Sequence, residues 1–215
     1  MEKTILTYNN KNYDIFYVES KCAVLKSIKN NKIWEKKFIP IFKKYISKDS
    51  VVIDIGAFLG THTIILSDIA KKVYAFEPQK LIGKCLQKTI TENKLANVEL
   101  YNIGLSNNKN TIRFFTNNDG GATIHTKRIK YIDNYLIQVD LLDNIINEKI
   151  DFIKIDAEGH EFNILEGAKK VITKYKPIII IEVFKKNRSN LEEWCMYNSY
   201  LKEHKRGDDY LLIPI

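Results

Sequence analysis

A short block in the second half of the chain gathers three carboxylates, a lysine and a histidine. Lys154, Asp156, Glu158, His160 and Glu161 lie within eight residues. Apolar residues before Asp156 predict a buried strand, and burying a charge costs several kcal/mol unless it is paired. We therefore expect a site at this strand end, where carboxylates and an imidazole can position a reactant or move its proton. For Glu158 and Glu161, a solvated helix start favoured by the helix dipole is the alternative.

A second group follows the apolar run from Val51 to Ile55. Asp54 stands near the end of the run, Gly56 allows a tight turn, and Gly60 allows close backbone approach to a ligand. The G-x-G-x-x-G pattern of dinucleotide-binding loops is absent, and an acid here repels a pyrophosphate. The group therefore favours a ligand with a cationic centre, such as the sulfonium of S-adenosylmethionine. A plain strand-turn-helix loop is the alternative.

Glu77 follows the next apolar run and lies twenty-one residues after Gly56. At that spacing an acid reaches the two ribose hydroxyls of an adenosine cofactor. Two charge-assisted hydrogen bonds, each worth roughly 1.5–3 kcal/mol, are enough to fix the nucleoside. Asp54 and Glu77 together predict adenosine binding, and Ser106, after the following strand, is expected beside the adenine. A surface acid at Glu77 and a plain turn at Ser106 are the alternatives.

The elements that must position these residues alternate between strand and helix after Ser50. Apolar residues recur with period 2 in short runs and with period 3.6 in the longer stretches between them. Strands are predicted over 51–55, 73–76, 98–103, 152–155 and 177–183, and helices over 61–72, 81–93 and 163–175. Strands that are apolar on both faces are typical of a parallel sheet covered by helices. The sequence predicts an α/β fold with a doubly wound, mostly parallel, Rossmann-like sheet, which binds ligands at the carboxyl ends of its strands.

Three stretches fall outside this alternation. Residues 1–50 predict a hairpin around Asn9-Asn10 or Asn30-Asn31 and a helix over about 34–46, packed as an extension on a domain of residues 51–215. Residues 107–138 predict a strand over 111–115 and a glycine-bearing loop over 117–121, a natural place for a substrate-facing insertion. The tail predicts a helix and a strand over 210–213. Residues that suit stacking on sugars but equally suit a core are Tyr8, Tyr13, Tyr17, His125, Tyr131 and Tyr135.

The composition excludes several classes of protein. The chain has 215 residues, 45% of them hydrophobic, as in ordinary globular proteins. Three widely spaced cysteines without a Cys-x-x-Cys pair indicate neither a disulfide framework nor a zinc knuckle, and point to a reducing, cytoplasmic compartment. Neither a membrane span nor a secretory leader is expected. Of 34 basic residues only four are arginine, so the net charge of +8 indicates solvated surface more than a nucleic-acid partner.

Four sequence blocks resemble those of the FkbM-type S-adenosylmethionine-dependent methyltransferases. They are Val-Ile-Asp-Ile-Gly-Ala-x-x-Gly from 52, Ala-Phe-Glu-Pro from 75, Phe-Ile-Lys-Ile-Asp-Ala-Glu-Gly-His-Glu from 152 and Pro-Ile-Ile-Ile-Ile-Glu-Val from 177. The resemblance extends from about Trp34-Glu35 to Pro214. It implies O-methylation of a hydroxyl group, often on a sugar or a polyketide-type product.

Carried over by position, the resemblance also implies roles for individual residues. The cofactor would be held by Asp54, Gly56, Ala57, Gly60 and Glu77, and the transfer site would be faced by Asp156, Glu158 and Glu161. The family usually has asparagine where this chain has Phe58, so a polar cofactor contact is either missing or replaced by packing of the ring on the cofactor. His62, in the same loop, is either a ligand contact or a helix-start residue.

For the reaction itself we predict a metal-independent enzyme in which Asp156 orients the acceptor hydroxyl and His160 or Asp156 takes its proton. Lys154 lies two residues before Asp156, on the same face of the strand, and is expected to pair with an acid. The alternative is a divalent cation held by Asp156, Glu158 and Glu182. The expected acceptor is a small molecule or glycan. An RNA acceptor and a non-catalytic binding protein of the same fold are the other hypotheses, and the oligomeric state stays open.

Overall fold

A computed structural model describes residues 1–116, the backbone of residues 122–123, and residues 133–215. The strands in these ranges are β1 (Glu2–Tyr8), β2 (Lys11–Tyr17), β3 (Val51–Ile55), β4 (Lys72–Phe76), β5 (Val98–Tyr101), β6 (Gly104–Leu105), β7 (Asn110–Thr116), β8 (Ala122–Thr123), β9 (Asp133–Asp140), β10 (Phe152–Ile155), β11 (Ile178–Glu182), β12 (Tyr200–Arg206) and β13 (Asp209–Pro214). The α-helices are α1 (Ala23–Lys29), α2 (Ile39–Tyr45), α3 (Thr61–Ile69), α4 (Lys80–Glu92), α5 (Leu142–Ile145), α6 (Glu161–Gly167), α7 (Lys169–Tyr175) and α8 (Arg188–Asn198). Short 3₁₀ turns cover Lys36–Phe38 and Lys185–Asn187.

Seven strands form the central sheet, in the order β12-β13-β11-β10-β3-β4-β5. The strands from β11 to β5 run parallel, and β13 is antiparallel to both β11 and β12. From β3 the chain adds β4 and β5 on one side, then adds β10 and β11 on the other, so the strand order reverses between β3 and β10. Open α/β sheets bind ligands at such a reversal. The predicted doubly wound, mostly parallel α/β fold is confirmed.

Both faces of the central sheet are buried under helices. Ile53 and Ile153 belong to a buried cluster with apolar residues of α5, α6, α7 and α8. Val52 and Phe152, one position earlier, belong to a cluster with residues of α1, α2, α3 and the β1–β2 hairpin. Burial on both faces explains why these strands are near-continuous apolar runs. Polar groups are therefore concentrated at the strand ends, where the sheet meets solvent.

In the N-terminal extension one of the two predicted turns is confirmed. The hairpin turns at Asn9 (φ 52°) and Asn10 (φ 60°), both in the left-handed conformation that a tight hairpin requires and asparagine tolerates. The alternative turn, Asn30-Asn31, was wrong, because it follows α1, a helix that the sequence analysis did not predict. The helix predicted over 34–46 is a 3₁₀ turn followed by the shorter α2.

Two predicted helices and the tail also differ from the predictions. The helix predicted over 61–72 ends at Ile69, because Lys72 already pairs in β4. The helix predicted over 163–175 is divided at Ala168 into α6 and α7. In the tail, β13 was predicted and β12 was not. The side chains of β12 are mostly charged, as is common in an edge strand that must avoid aggregation, so the apolar pattern is missing there.

The insertion between β5 and β10 forms a second, four-stranded sheet in the order β6-β9-β7-β8. Tyr135 of β9 packs against Phe114 of β7, with ring centroids 5.9 Å apart. The predicted loop over 117–121, His125 and Tyr131 lie outside the described residues. The other three aromatic residues proposed for sugar stacking, Tyr8, Tyr13 and Tyr17, are buried in the core.

Two features concern the chain as a whole. Cys22, Cys85 and Cys195 are buried and their thiols are free, so the core holds together without a disulfide among them. No helix in the described ranges is long and apolar enough to cross a membrane.

Candidate functional site

A cavity of about 410 Å³ opens at the carboxyl ends of the central strands, where the strand order reverses. Its volume falls in the range of roughly 300–1,000 Å³ that is typical of small-molecule sites. Among the residues predicted for the site, those that line it are Asp54, Gly56, Ala57, Phe58, His62, Glu77, Lys154, Asp156, Glu158, His160 and Glu182. The fold thus brings residues from β3, β4 and β10 to one place. Gly60 and Ser106, also predicted, are not in the lining.

The turn after β3 is fixed by its neighbours on both sides. Gly56 has a left-handed φ of 78°, and a Cβ there would lie 1.9 Å from the carbonyl oxygen of Asp156, so only glycine fits. The amides of Gly56 and Ala57 donate to the carbonyl of Phe76 at 3.0 and 3.1 Å. Gly60 has a φ of 85° and lets α3 begin close to Leu86. Its part is to shape the loop, because it does not reach the cavity wall.

Glu77 is buried and connects the ends of β3 and β4. Its Oε2 accepts the amide of Phe58 at 2.9 Å, and its Oε1 accepts the amide of Gln79 at 2.7 Å. Burial raises the pKa of the Glu77 carboxyl to about 7, against the opposing effect of these two amides. Each carboxylate oxygen has a second lone pair, so both can still accept a hydrogen bond from a ligand hydroxyl.

Phe58 occupies a backbone position that asparagine tolerates better. Its φ is 49°, in the left-handed region that bulky residues rarely adopt. The ring is half-buried and lines the cavity. The side chain is therefore available for packing on a ligand, while its amide is used by Glu77.

Lys154 is buried between two acids. Its Nζ lies 3.4 Å from Asp156 Oδ2 and 3.7 Å from Asp54 Oδ1, and Asp54 Oδ2 accepts the hydroxyl of Thr63 at 2.7 Å. Burial lowers the pKa of the Lys154 ammonium, but the carboxylates of Asp156 and Asp54 outweigh it and hold the pKa above its usual value. Burial raises the pKa of Asp54, against the attraction of Lys154. The ion pair expected from the two-residue spacing is present, and Asp54 joins it.

His160 precedes α6, and its imidazole contacts a residue of the insertion between β5 and β10. Its Nε2 lies 2.9 Å from Ser106 Oγ, and Ser106 is buried. Ser106 was predicted beside the adenine, but the structure places its hydroxyl against the imidazole instead. Glu161, which the resemblance directs at the transfer site, is fully buried, does not line the cavity, and accepts the amide of Gly159 at 2.7 Å. Burial raises its pKa.

Five residues of the N-terminal segment (residues 1–50) also line the cavity, and none of them was predicted as a site residue. They are Cys22, Ala23 and Val24, around the start of α1, and Trp34 and Glu35, at the point where the resemblance begins. The Nε2 of His62 lies 3.2 Å from the carbonyl oxygen of Trp34, and its ring packs edge-on against Phe38 and Phe42. Burial lowers the pKa of His62 to about 3, so the ring is neutral and donates to this carbonyl. His62 lies in the first turn of α3 and anchors the N-terminal segment to it.

Glu182, at the end of β11, completes the acidic side of the cavity. Burial, followed by the charges of Asp156 and Glu158, raises the pKa of its carboxyl to about 8. No three His, Cys, Asp or Glu residues are arranged to hold a metal ion in the part of the chain that the structure describes. This wall of the cavity contains more carboxyl groups than ammonium groups, since Lys154 faces several acids there. The wall therefore differs from the chain as a whole, which has a net charge of +8.

Comparisons with known proteins agree with this geometry. The structure resembles an FkbM methyltransferase from Methylobacillus flagellatus KT (21% identity, TM-score 0.58), over 77% of this chain and 44% of that one, so it spans less than half of that protein. It also resembles an rRNA methylase from Streptococcus thermophilus (16%, TM-score 0.54; 82% and 92% covered) and a putative methyltransferase from Streptococcus mutans in complex with SAH (15%, TM-score 0.54; 82% and 94% covered). At these identities the likenesses show the fold alone, and no curated protein matches the chain. The model of the methyltransferase FkbM domain, however, matches residues 54–210, so this protein belongs to the FkbM methyltransferase family.

Proposed function

We propose that this protein is an S-adenosylmethionine-dependent O-methyltransferase that acts on a hydroxyl group of a sugar, a glycan or another small molecule. The observation that carries the proposal is the 2.9 Å hydrogen bond from the Phe58 amide to Glu77, which joins the turn after β3 to the end of β4 in the wall of one cavity. Two backbone amides hold the Glu77 carboxylate in place, and each of its oxygens keeps one lone pair for a ligand. That arrangement suits the two vicinal hydroxyls of a ribose.

The residues of the cavity fit S-adenosylmethionine. Glu77 would accept the ribose hydroxyls, Asp54 and the turn at Gly56 would face the cationic end, and Ile103 and Leu105 give an apolar wall for the adenine. When bound, the cofactor supplies an electrophilic methyl group. Family membership supports the same cofactor, as does the complex of the Streptococcus mutans protein with SAH.

The strand order separates the two halves of the reaction. The acids assigned to the cofactor are Asp54 of β3 and Glu77, which follows β4. Asp156 follows β10 and Glu182 ends β11, on the other side of β3. The acceptor would therefore lie against Asp156, whose carboxylate is fixed by Lys154. Asp156 orients the acceptor hydroxyl, and His160 or Asp156 removes its proton. General-base catalysis of this kind contributes about 10²–10⁴-fold to the rate.

The test is binding followed by turnover. Calorimetry with S-adenosylmethionine and S-adenosylhomocysteine should show saturable binding, and a methyl-labelled donor should label a hydroxyl in a panel of nucleotide-sugars, glycosides, capped RNA and peptides. Absence of binding to either nucleoside would refute the enzyme hypothesis and leave a non-catalytic binding protein of the same fold.

An RNA acceptor is the second candidate. The net charge of +8 and the likeness to an rRNA methylase favour it. If the acceptor is a small molecule or glycan, we expect RNA to bind only through diffuse lysine contacts and to be released at physiological salt. Filter binding from 20 to 200 mM salt separates the two, because sequence-selective binding that survives the higher concentration would favour the RNA methyltransferase.

A further inference from the structure

We propose that Trp34 and Glu35 form the wall of the acceptor site that recognises a saccharide. The inference rests on the proposed function, since it assigns the half of the cavity that the cofactor leaves to the acceptor. Neither residue belongs to the central sheet or to the strand ends that hold the adenosine. Both nevertheless line the same cavity.

Glu35 lies on the acceptor side of the strand-order reversal. It borders a small depression together with Lys154 of β10, Asp156 after it, Glu182 of β11 and Asp209 of β13. Burial raises the pKa of the Glu35 carboxyl, and the charge of Asp156 raises it further, while the ammonium of Lys37 opposes both. Glu35 and Asp156 both line the cavity and border this depression, so one ligand can contact both.

The backbone at Glu35 is held in an unusual conformation. Its φ is 47°, in the left-handed region that is unfavourable for a residue with a Cβ. Lys37 Nζ lies 3.1 Å from Glu35 Oε1 and also pairs with the buried Asp209 of β13, while His62 holds the carbonyl of Trp34. Lys37 and His62 thus hold Glu35 and its neighbour Trp34 at the cavity wall, and a strained backbone of the kind seen at Glu35 is typical of positions that bind ligands.

An aromatic ring next to a carboxylate is suited to a sugar. The carboxylate accepts charge-assisted hydrogen bonds from ring hydroxyls, and an indole with an apolar face and a polar edge packs against the C–H face of a pyranose. Trp34 is half-buried and in the lining, so part of its ring is open to a ligand. Around it the lining carries the carboxyl groups of Glu35, Asp156, Glu158 and Glu182. Among the described lining residues only Lys154 has an ammonium or guanidinium group, and it is already paired with Asp156 and Asp54, so the wall offers no free cation to the phosphates of RNA. An uncharged polyhydroxylated acceptor therefore fits this wall better than a nucleic acid does.

The chain offers a direct optical test. It contains two tryptophans, and Trp194 packs against Tyr200, away from the cavity lining. A Trp194→Phe variant leaves Trp34 as the sole tryptophan. Methyl glycosides of glucose, galactose, mannose, rhamnose and N-acetylglucosamine are then titrated, with and without S-adenosylhomocysteine, while Trp34 emission is recorded. We expect at least one of them to change the emission saturably.

The role of the Glu35 carboxylate is tested in the Trp194→Phe variant. Glu35→Gln should weaken glycoside binding by about 10-fold or more, because it removes the charged partner of a hydroxyl, and should leave S-adenosylhomocysteine affinity within about twofold. Glu19→Gln, which removes an exposed carboxylate of the N-terminal segment, is the matched control and should change neither affinity. Circular dichroism confirms that each variant is folded.

The outcomes separate this inference from the proposed function. If S-adenosylhomocysteine does not bind, the proposed function fails, while the glycoside titration without cofactor still decides on the saccharide wall. If the nucleoside binds but none of the five glycosides changes Trp34 emission, the inference is wrong. It is equally wrong if a glycoside binds and Glu35→Gln leaves its affinity unchanged.

Discussion

Lys154 Nζ lies 3.7 Å from Asp54 Oδ1, so the strand-end acid expected to face the cofactor is also part of a buried ion pair. Both side chains are almost completely excluded from solvent. The sequence alone predicts that Asp54 and Glu77 end strands in an open cleft, and that replacing either with alanine abolishes cofactor binding without unfolding the protein. Both residues also have a structural role, because Asp54 pairs with Lys154 and Glu77 accepts two backbone amides.

Asp54→Asn should lower the free energy of unfolding by about 3 kcal/mol, since removing one partner leaves a buried ammonium poorly compensated. Urea unfolding followed by circular dichroism measures the change. The double variant Asp54→Asn with Lys154→Met should lose less than the sum of the two single losses, because the unpaired charge is gone. Additive losses would show that the two side chains do not interact.

Glu77 should make cofactor binding dependent on pH. Its carboxyl has a pKa raised to about 7, and ribose hydroxyls donate to the ionised form. Below that pH the Glu77 carboxyl is mostly neutral and must lose a proton before it can accept the ribose hydroxyls. The affinity for the cofactor therefore rises with pH. We expect S-adenosylhomocysteine to bind about 10-fold more tightly at pH 8 than at pH 6, measured by calorimetry. Glu77→Gln should bind weakly with no such slope. The same slope in the variant would assign the dependence to another group, such as Glu182.

The general base can be identified by comparing three variants once an acceptor is known. His160→Gln should lower kcat by about 10²-fold or more with little change in cofactor affinity. Ser106→Ala keeps the imidazole but removes its 2.9 Å partner, so a smaller loss is expected. Asp156→Asn should raise KM for the acceptor, as expected for an orienting residue. If His160→Gln retains kcat while Asp156→Asn loses it, Asp156 is the base.

Turnover should not require a divalent cation, because Lys154 already neutralises part of the acidic wall that a metal would otherwise occupy. The measurement is methyl transfer after exhaustive EDTA treatment, with and without added magnesium. We expect equal rates. Activity that disappears with the chelator and returns with the ion would make Asp156, Glu158 and Glu182 a metal site, as in the alternative hypothesis.

The sequence predicts the strand ends well, because residues buried on both faces of a parallel sheet leave a clear apolar pattern. Asp54, Glu77 and Asp156 each follow such a run, and the strand order brings them together. Trp34 and Glu35 have no such pattern. Their place in the cavity depends on tertiary contacts of the segment before β3, among them those of His62 and Lys37. Ser106 follows a strand as expected, but the insertion turns its side chain toward His160.

The ion pair between Lys37 and Asp209 joins residues that are 172 positions apart. A growing chain emerges from the ribosome at about 5–20 residues per second, so a contact of that span waits for nearly all of this sequence. The turn after β3 and Glu77, only 21 positions apart, can meet much earlier. During synthesis the contact between the turn after β3 and Glu77 can therefore form early, whereas the ion pair that holds Lys37 beside Glu35 forms only when β13 joins the sheet.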